Sequence, residues 1–282
     1  MIKISAPVRI DISGGWPDSD PYRKDYGGAV LNAAINQRVY GTFDGFQKTD
    51  PAHVLPHSGL GTSGALRAVE IAVSNPTLLG DRFDLVRRVH MLENQVIGHR
   101  SGFQDEAAAI CGGVNYWQFE DDGSIGRTPV ARDKASFLQN QLVLIYTGRA
   151  HVSANIHDLV FGKEVYEKNI PRLDRMKAIA GEMFDNIQLP RKMANLISET
   201  WDLQRSLHPS IETDEMREIQ RRLKGYYSAT RAIGAGGGGC MIFYGNRERI
   251  LYGLKKIKPH FKNLIVIPFE FDYEGIRIER TN

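Results

Sequence analysis

Between Pro56 and Ala65 the chain reads Pro-His-Ser-Gly-Leu-Gly-Thr-Ser-Gly-Ala and runs straight into Leu66–Ala72, a stretch of Ala, Leu, Val and Ile. The spacing predicts a loop that ends at a helix N-terminus, where the first backbone N–H groups have no partner within the helix. Such an end carries partial positive charge, and glycines let the backbone come close to a ligand, so its chemistry is anion binding, with phosphate the natural guest. The Thr62 and Ser63 hydroxyls can cap the helix or meet a metal ion. A tight turn with a good cap has the same composition, so these residues alone leave both readings open. The stretch is not a P-loop, since no Gly-Lys-Ser/Thr follows, and it lacks the glycine spacing of the dinucleotide fingerprint.

Two further segments are rich in glycine. Gly14–Gly15 ends a run in which Ile2, Ile4, Val8, Ile10 and Ile12 are spaced like the inward face of a strand, and Gly234–Gly239 precedes Cys240–Tyr244. Consecutive glycines are conformationally costly, so a folded chain that keeps them needs close approach to a ligand or to another segment.

The elements that must hold these segments are readable in outline. Trp16–Tyr22, with two prolines and two acids, predicts an exposed polar loop; Arg38–Phe43 predicts a strand. A helix is expected from Ser63 to about Val73, stopped by Asn75–Pro76, and a second over Phe83–Ile97. In the latter, Leu85, Val89, Leu92 and Val96 form one buried stripe, which puts Glu93 on the border between core and cleft. Strand-like pieces at 114–119, 141–146 and 264–267 and helices at about 151–186 (with a break), 191–207 and 213–232 complete the outline. A loose domain boundary falls near residue 135, giving domains 1–135 and 136–282.

Composition narrows the function classes. With 282 residues, 42% hydrophobic and 24% charged, the chain can bury a substantial core. A net charge of +3, evenly spread, speaks against a nucleic-acid or membrane surface. Cys111 and Cys240 have no neighbouring Cys or His at ligand spacing, which leaves buried free thiols. The N-terminus lacks a long apolar run, and the expected location is cytoplasmic.

Taken together, the segments at 14–15, 59–64 and 234–239 resemble the three motifs of the GHMP kinases, named for galactokinase, homoserine kinase, mevalonate kinase and phosphomevalonate kinase. Ala6–Asp18, Gly27–Asn32, Tyr146–Arg149 and Glu199–Arg205 are similar to the branch that holds fucokinase and the D-glycero-D-manno-heptose phosphate kinases. The resemblance implies an α+β fold, with an N-terminal ribosomal-protein-S5-domain-2-like domain and a C-terminal ferredoxin-like domain. It implies an ATP- and Mg²⁺-dependent enzyme that phosphorylates a sugar hydroxyl, most readily the anomeric one of fucose or a related deoxysugar or heptose. Its partners are then ATP and a small sugar, with no nucleic acid and no membrane, and a homodimer is admitted.

Carried over residue by residue, the resemblance makes Asp105 the catalytic base, with Arg9 beside it, and places Mg²⁺ on Ser63 and Glu93. Pro56, Ser58, Gly59, Leu60, Gly61, Thr62 and Ser63 become the nucleotide loop. Asp18, Gly27, Gly28, Gly102, Gly237 and Gly238 become the substrate contacts. On residue type alone, Glu93 is equally an exposed helix carboxylate, Asp105 a helix cap, Arg9 a surface ion-pair partner and Asp18 a turn residue. Two departures from the family stand out. Only Asp44–Leu55 separates the strand at 38–43 from the loop, where members carry a longer insert that supplies part of the adenine pocket. Phe103 stands where heptose kinases tend to carry a lysine. A non-catalytic sugar- or nucleotide-binding relative, and a kinase for a small non-sugar alcohol, are the alternative readings.

Overall fold

The structure is a computed structural model that describes residues 2–43, 47–50, 54–55, 57–97, 101–151 and 154–279. A first sheet holds β1 (Ile2–Asp11), β2 (Gly28–Phe43), β3 (Gln47–Asp50), β4 (Val114–Phe119), β5 (Ile125–Pro129) and β10 (Arg277–Glu279). Its order is β10-β1-β2-β4-β5, with β3 on the far half of β2, and every pairing is antiparallel. Helices α1 (Tyr22–Tyr26), α2 (Thr62–Ser74), α3 (Arg82–Met91) and α4 (Gln104–Cys111) lie between these strands in the chain, and α2 and α4 pack on β1.

After α5 (Arg132–Gln139), the chain builds a second sheet from β6 (Leu142–Tyr146), β7 (Ala229–Ala232), β8 (Cys240–Tyr244) and β9 (Ile265–Ile267). Between β6 and β7 run α6 (Ala154–Val160), α7 (Lys163–Asp185), α8 (Pro190–Leu207) and α9 (Asp214–Arg222), and α10 (Arg247–Ile257) joins β8 to β9. The order β7-β8-β6-β9, all antiparallel, is the ferredoxin-like βαββαβ arrangement with extra helices in the first crossover. Residue 135 lies between the two sheets in sequence, yet β10 returns from the second to pair with β1.

β1 decides the site's position. Strand alternation puts Ile4, Ala6, Val8 and Ile10 on one face and Ser5, Arg9 and Asp11 on the other. Both faces are covered, so the polar set is buried as deeply as the apolar one.

Three expectations are corrected here. Trp16–Tyr22 is not an exposed loop: Trp16, Pro17, Asp18 and Tyr22 are buried, with Trp16 against His157 and Phe161 and the Tyr22 hydroxyl donating to Asp174 at 2.6 Å. The helix expected over 213–232 stops at Arg222; Gly225 takes φ +90°, and 229–232 becomes β7, whose four residues are all buried. The stripe from Leu85 fails after α3, because Leu92–Ile97 winds as a π-turn. That extra residue per turn exposes Val96 and buries Glu93 at 2% exposure. The expected break in 151–186 falls between α6 and α7, and the expected strand Arg38–Phe43 is the end of the longer β2.

Candidate active site

The loop before α2 is clamped by its carbonyls. Cys240 N–H donates to Ser58 O at 2.8 Å, Arg9 Nη1 to Gly59 O at 2.7 Å and Arg9 N–H to Leu60 O at 2.9 Å. In a trans peptide the C=O and the following N–H point opposite ways, so the amides of Gly59, Leu60 and Gly61 face away from the clamp. Gly59 (φ +77°) and Gly61 (φ +72°) supply the left-handed turns, and no side chain caps α2. The Ser58 and Thr62 hydroxyls are buried without a partner. Among the described residues, a row of free amides thus ends at an uncapped helix N-terminus, which is a cradle for phosphate oxygens. Pro56 lies outside the described residues.

Asp105 sits in the first turn of α4, directly under this loop. Arg9 Nε donates to its Oδ1 at 2.8 Å and Arg9 Nη2 stands 2.7 Å from the same oxygen. Loop and helix both press on this residue: a methyl on Gly61 would lie 3.0 Å from Asp105 Cγ, and one on Gly64, in the first turn of α2, 3.0 Å from Asp105 Cβ. Burial pushes the Asp105 carboxyl above its ordinary value, and Arg9 pulls it back. Burial thus makes it a stronger base than a solvated aspartate, while the Arg9 guanidinium opposes that rise.

Glu93 faces the same space. Its Oε2 accepts from Ser101 Oγ at 3.0 Å, its carboxylate also takes the Ser63 hydroxyl, and Asn94 holds Ser101 through Oδ1 and Nδ2. Burial, then the charge on Asp105, push Glu93 up against these hydrogen bonds. A carboxylate raised by a neighbouring carboxylate is relieved by a cation between them. Among the described residues no group of three or more His, Cys, Asp or Glu side chains can hold a metal alone. Glu93 and Ser63 beside a phosphate cradle fit Mg²⁺, which takes few protein ligands and completes its shell with phosphate oxygens and water.

Asp18 lies at the other end of this cluster, fully buried. Gln104 N–H donates to its Oδ2 at 2.9 Å while Oδ1 has no partner. Ser19 bridges Gly102 backbone to backbone, and any side chain on Gly102 would meet the Asp18 carboxylate at 2.0 Å. Gly28 packs on Pro17 O, fixing the same turn, and Gly27 ends α1 with φ +69°. Gly102 and Gly28 thus act on the Asp18 turn by close approach. Gly237 and Gly238 do not join this group. Their positive φ values and contacts with Ile156 and with the Ala150 carbonyl are explained by chain-on-chain packing, and Gly237 N–H is taken by Ile211 O.

Sequence reasoning missed one part of the site's frame. Arg231, on β7, donates through Nη1 to Asp11 Oδ1 at 2.8 Å and through Nη2 to Gln204 Oε1 at 2.9 Å, and both ionic partners have 0% exposure. Gly234 N–H reaches Asp11 Oδ1 at 3.3 Å, and Gln204 Nε2 returns to Gly234 O at 2.8 Å. This lock ties the second sheet to β1 two residues from Arg9. The sequence signal, an Arg within the short stretch Ala229–Ala232, lies inside the helix expected over 213–232.

Residues 30–113 match the GHMP kinases N terminal domain. The Arabidopsis thaliana bifunctional fucokinase/GDP-fucose pyrophosphorylase is 24% identical over 84% of this chain, which spans only 29% of that protein. The Campylobacter jejuni D-glycero-alpha-D-manno-heptose 7-phosphate kinase is 23% identical, with 98% of each chain covered. Among solved structures, a D-glycero-D-manno-heptose 1-phosphate kinase from Bacteroides thetaiotaomicron superposes over 100% of both chains at TM-score 0.76 and 18% identity. The Methanococcus jannaschii mevalonate kinase covers 95% of this chain and 98% of its own at TM-score 0.69 and 14% identity. Residues 30–113 thus match a GHMP kinases N terminal domain, and the two-sheet architecture of the chain is the fold of these solved kinases.

Proposed function

We propose that this chain transfers the γ-phosphoryl group of ATP to a sugar hydroxyl, the anomeric hydroxyl of fucose or of a related deoxysugar or heptose being the first acceptor to try. The observation that carries the reading is the Arg9–Asp105 pair seated against the loop of residues 59–61, with Gly61 close to the carboxylate and Gly64 close to Asp105 Cβ. Phosphoryl transfer asks mainly for positioning and charge stabilisation, and this arrangement puts an anion cradle and a base within one contact of each other.

In this reading, the amides of Gly59–Gly61 and the start of α2 hold the terminal phosphates. Asp105 accepts the proton of the sugar hydroxyl, and Arg9 steadies the charge that develops. Asp18, with its unpaired Oδ1, accepts a hydrogen bond from a second hydroxyl and so orients the sugar. Glu93 and Ser63 hold Mg²⁺, which when bound neutralises the phosphates. The names of the Campylobacter and Arabidopsis relatives support a sugar acceptor. We further infer that the chain divides functionally near residue 135, with the nucleotide loop, Glu93 and Asp105 in the first part and the glycine run in the second.

Incubation with Mg²⁺-ATP and a panel of monosaccharides, read as ADP release and sugar phosphate formed, tests this. Turnover on at least one sugar is expected; folded protein that binds nucleotide yet phosphorylates none contradicts it.

A further inference from the structure

We propose that the acceptor is an uncharged sugar and that sugar phosphates are rejected, because among the described residues every cation around Asp18 and Asp105 is already engaged, while unpaired groups there can accept hydrogen bonds. This rests on the kinase reading above and names its substrate class.

The cations are spent as follows. Arg9 is held by Asp105 and Gly59 O. Arg23 gives Nε to Asp20 at 2.9 Å and Nη1 to Glu120 O at 2.7 Å, and its plane covers the Phe103 ring at 5.2 Å. Lys24 pairs with the same Asp20 at 2.9 Å. Lys177 donates to Tyr26 O at 2.5 Å and lies with the Glu120 carboxylate beside Gly27. Arg67 pairs with Glu70, and Arg231 with Asp11 and Gln204. His90 lies 3.1 Å from Glu106 and flat on Phe103 at 3.5 Å, and burial lowers it to about 4, so it is neutral.

Against these stand four buried or nearly buried carboxyl groups that act on one another: Asp18, Glu93, Asp105 and Glu106. A phosphate ester on the acceptor needs charge-assisted donors. Here it meets an aromatic wall, since Phe103 is stacked between His90 and Phe119. The groups without partners are of the opposite kind. Gln104 Oε1 can only accept, Asp18 Oδ1 accepts when its carboxyl is ionised, and the Ser19 hydroxyl can do either. Sugar hydroxyls donate to such atoms; phosphate oxygens at neutral pH cannot.

The experiment compares matched pairs, mannose with mannose 6-phosphate and a heptose with its 7-phosphate, together with fucose. Binding is measured by calorimetry without nucleotide, and kcat/KM with Mg²⁺-ATP. Tighter binding of the neutral member is expected, by about a hundredfold for one added phosphate placed beside this group of carboxyls with no free cation to meet it. Equal or tighter binding of the phosphate ester, or binding of neither, overturns the inference. Neutral sugar bound but never phosphorylated fails the kinase reading and leaves the binding result to decide this one. As an internal check, Asp105→Asn frees the Arg9 guanidinium, so the binding gap should narrow by about tenfold; an unchanged gap contradicts the charge argument.

Discussion

Replacing Gly61 with alanine tests whether the loop and the base are one device. Gly61 has φ +72°, where an L-residue pays about 1–2 kcal/mol. The added methyl would also stand 3.0 Å from Asp105 Cγ, 3.1 Å from Oδ2 and 3.3 Å from Arg9 Cγ. These atoms are fixed by the bifurcated ion pair, so the carboxylate or the loop must yield by a few tenths of an ångström. Misplacement on that scale in a phosphoryl-transfer site is expected to lower kcat by about 10–100-fold. Gly123 separates the two effects: its φ is +82° and nothing lies within 4 Å of a methyl there. Gly123→Ala should therefore lose about 1–2 kcal/mol of stability and no activity. Initial rates at saturating Mg²⁺-ATP and sugar, with denaturant unfolding of both variants, give the comparison. Wild-type kcat in Gly61→Ala would refute the claim that the loop sits on the base.

Glu93→Gln should weaken the Mg²⁺ dependence of the rate by about tenfold or more, since a charge at ligand range is worth about 1–4 kcal/mol, while metal-free nucleotide binding holds or improves; an unchanged Mg²⁺ titration contradicts the assignment. Arg231→Met strands the Asp11 carboxylate in a fully buried site and should cost about 3–5 kcal/mol in denaturant unfolding; near-wild-type stability would show the lock to be dispensable. The acid limb of kcat/KM is set by ionisation of Asp105, which burial raises, so activity falls with decreasing pH earlier than for a solvated aspartate. Arg9 opposes that rise, so Arg9→Met should move the limb to still higher pH; a shift downward or none at all speaks against the pairing.

How much of this was legible in the residues depends on how far away the deciding partner lies. The loop at 59–64 and its helix are local features, and glycine spacing with an apolar run sufficed to place them. The Arg9, Glu93 and Asp105 assignments came through family resemblance, because three ionisable side chains on a strand, a π-turn and a helix show no joint pattern until the fold brings them together. The Asp18 turn misled for the same reason: its prolines and acids read as solvent-exposed, and its burial comes from Asp174, His157 and Phe161, more than a hundred residues away. Glu93 was placed on a border by ideal helical spacing, and one π-turn carried it into the site. Arg231 was hidden inside an expected helix, and its buried position follows from Asp11 at the opposite end of the chain.

The central claim is that Asp105 is the group that takes the acceptor's proton. It is tested most directly by Asp105→Asn, with kcat measured at saturating Mg²⁺-ATP and sugar and nucleotide Kd measured in parallel. A fall in kcat of about 10²–10⁴-fold with Kd nearly unchanged is predicted. A variant that phosphorylates sugar at the wild-type rate would contradict the account.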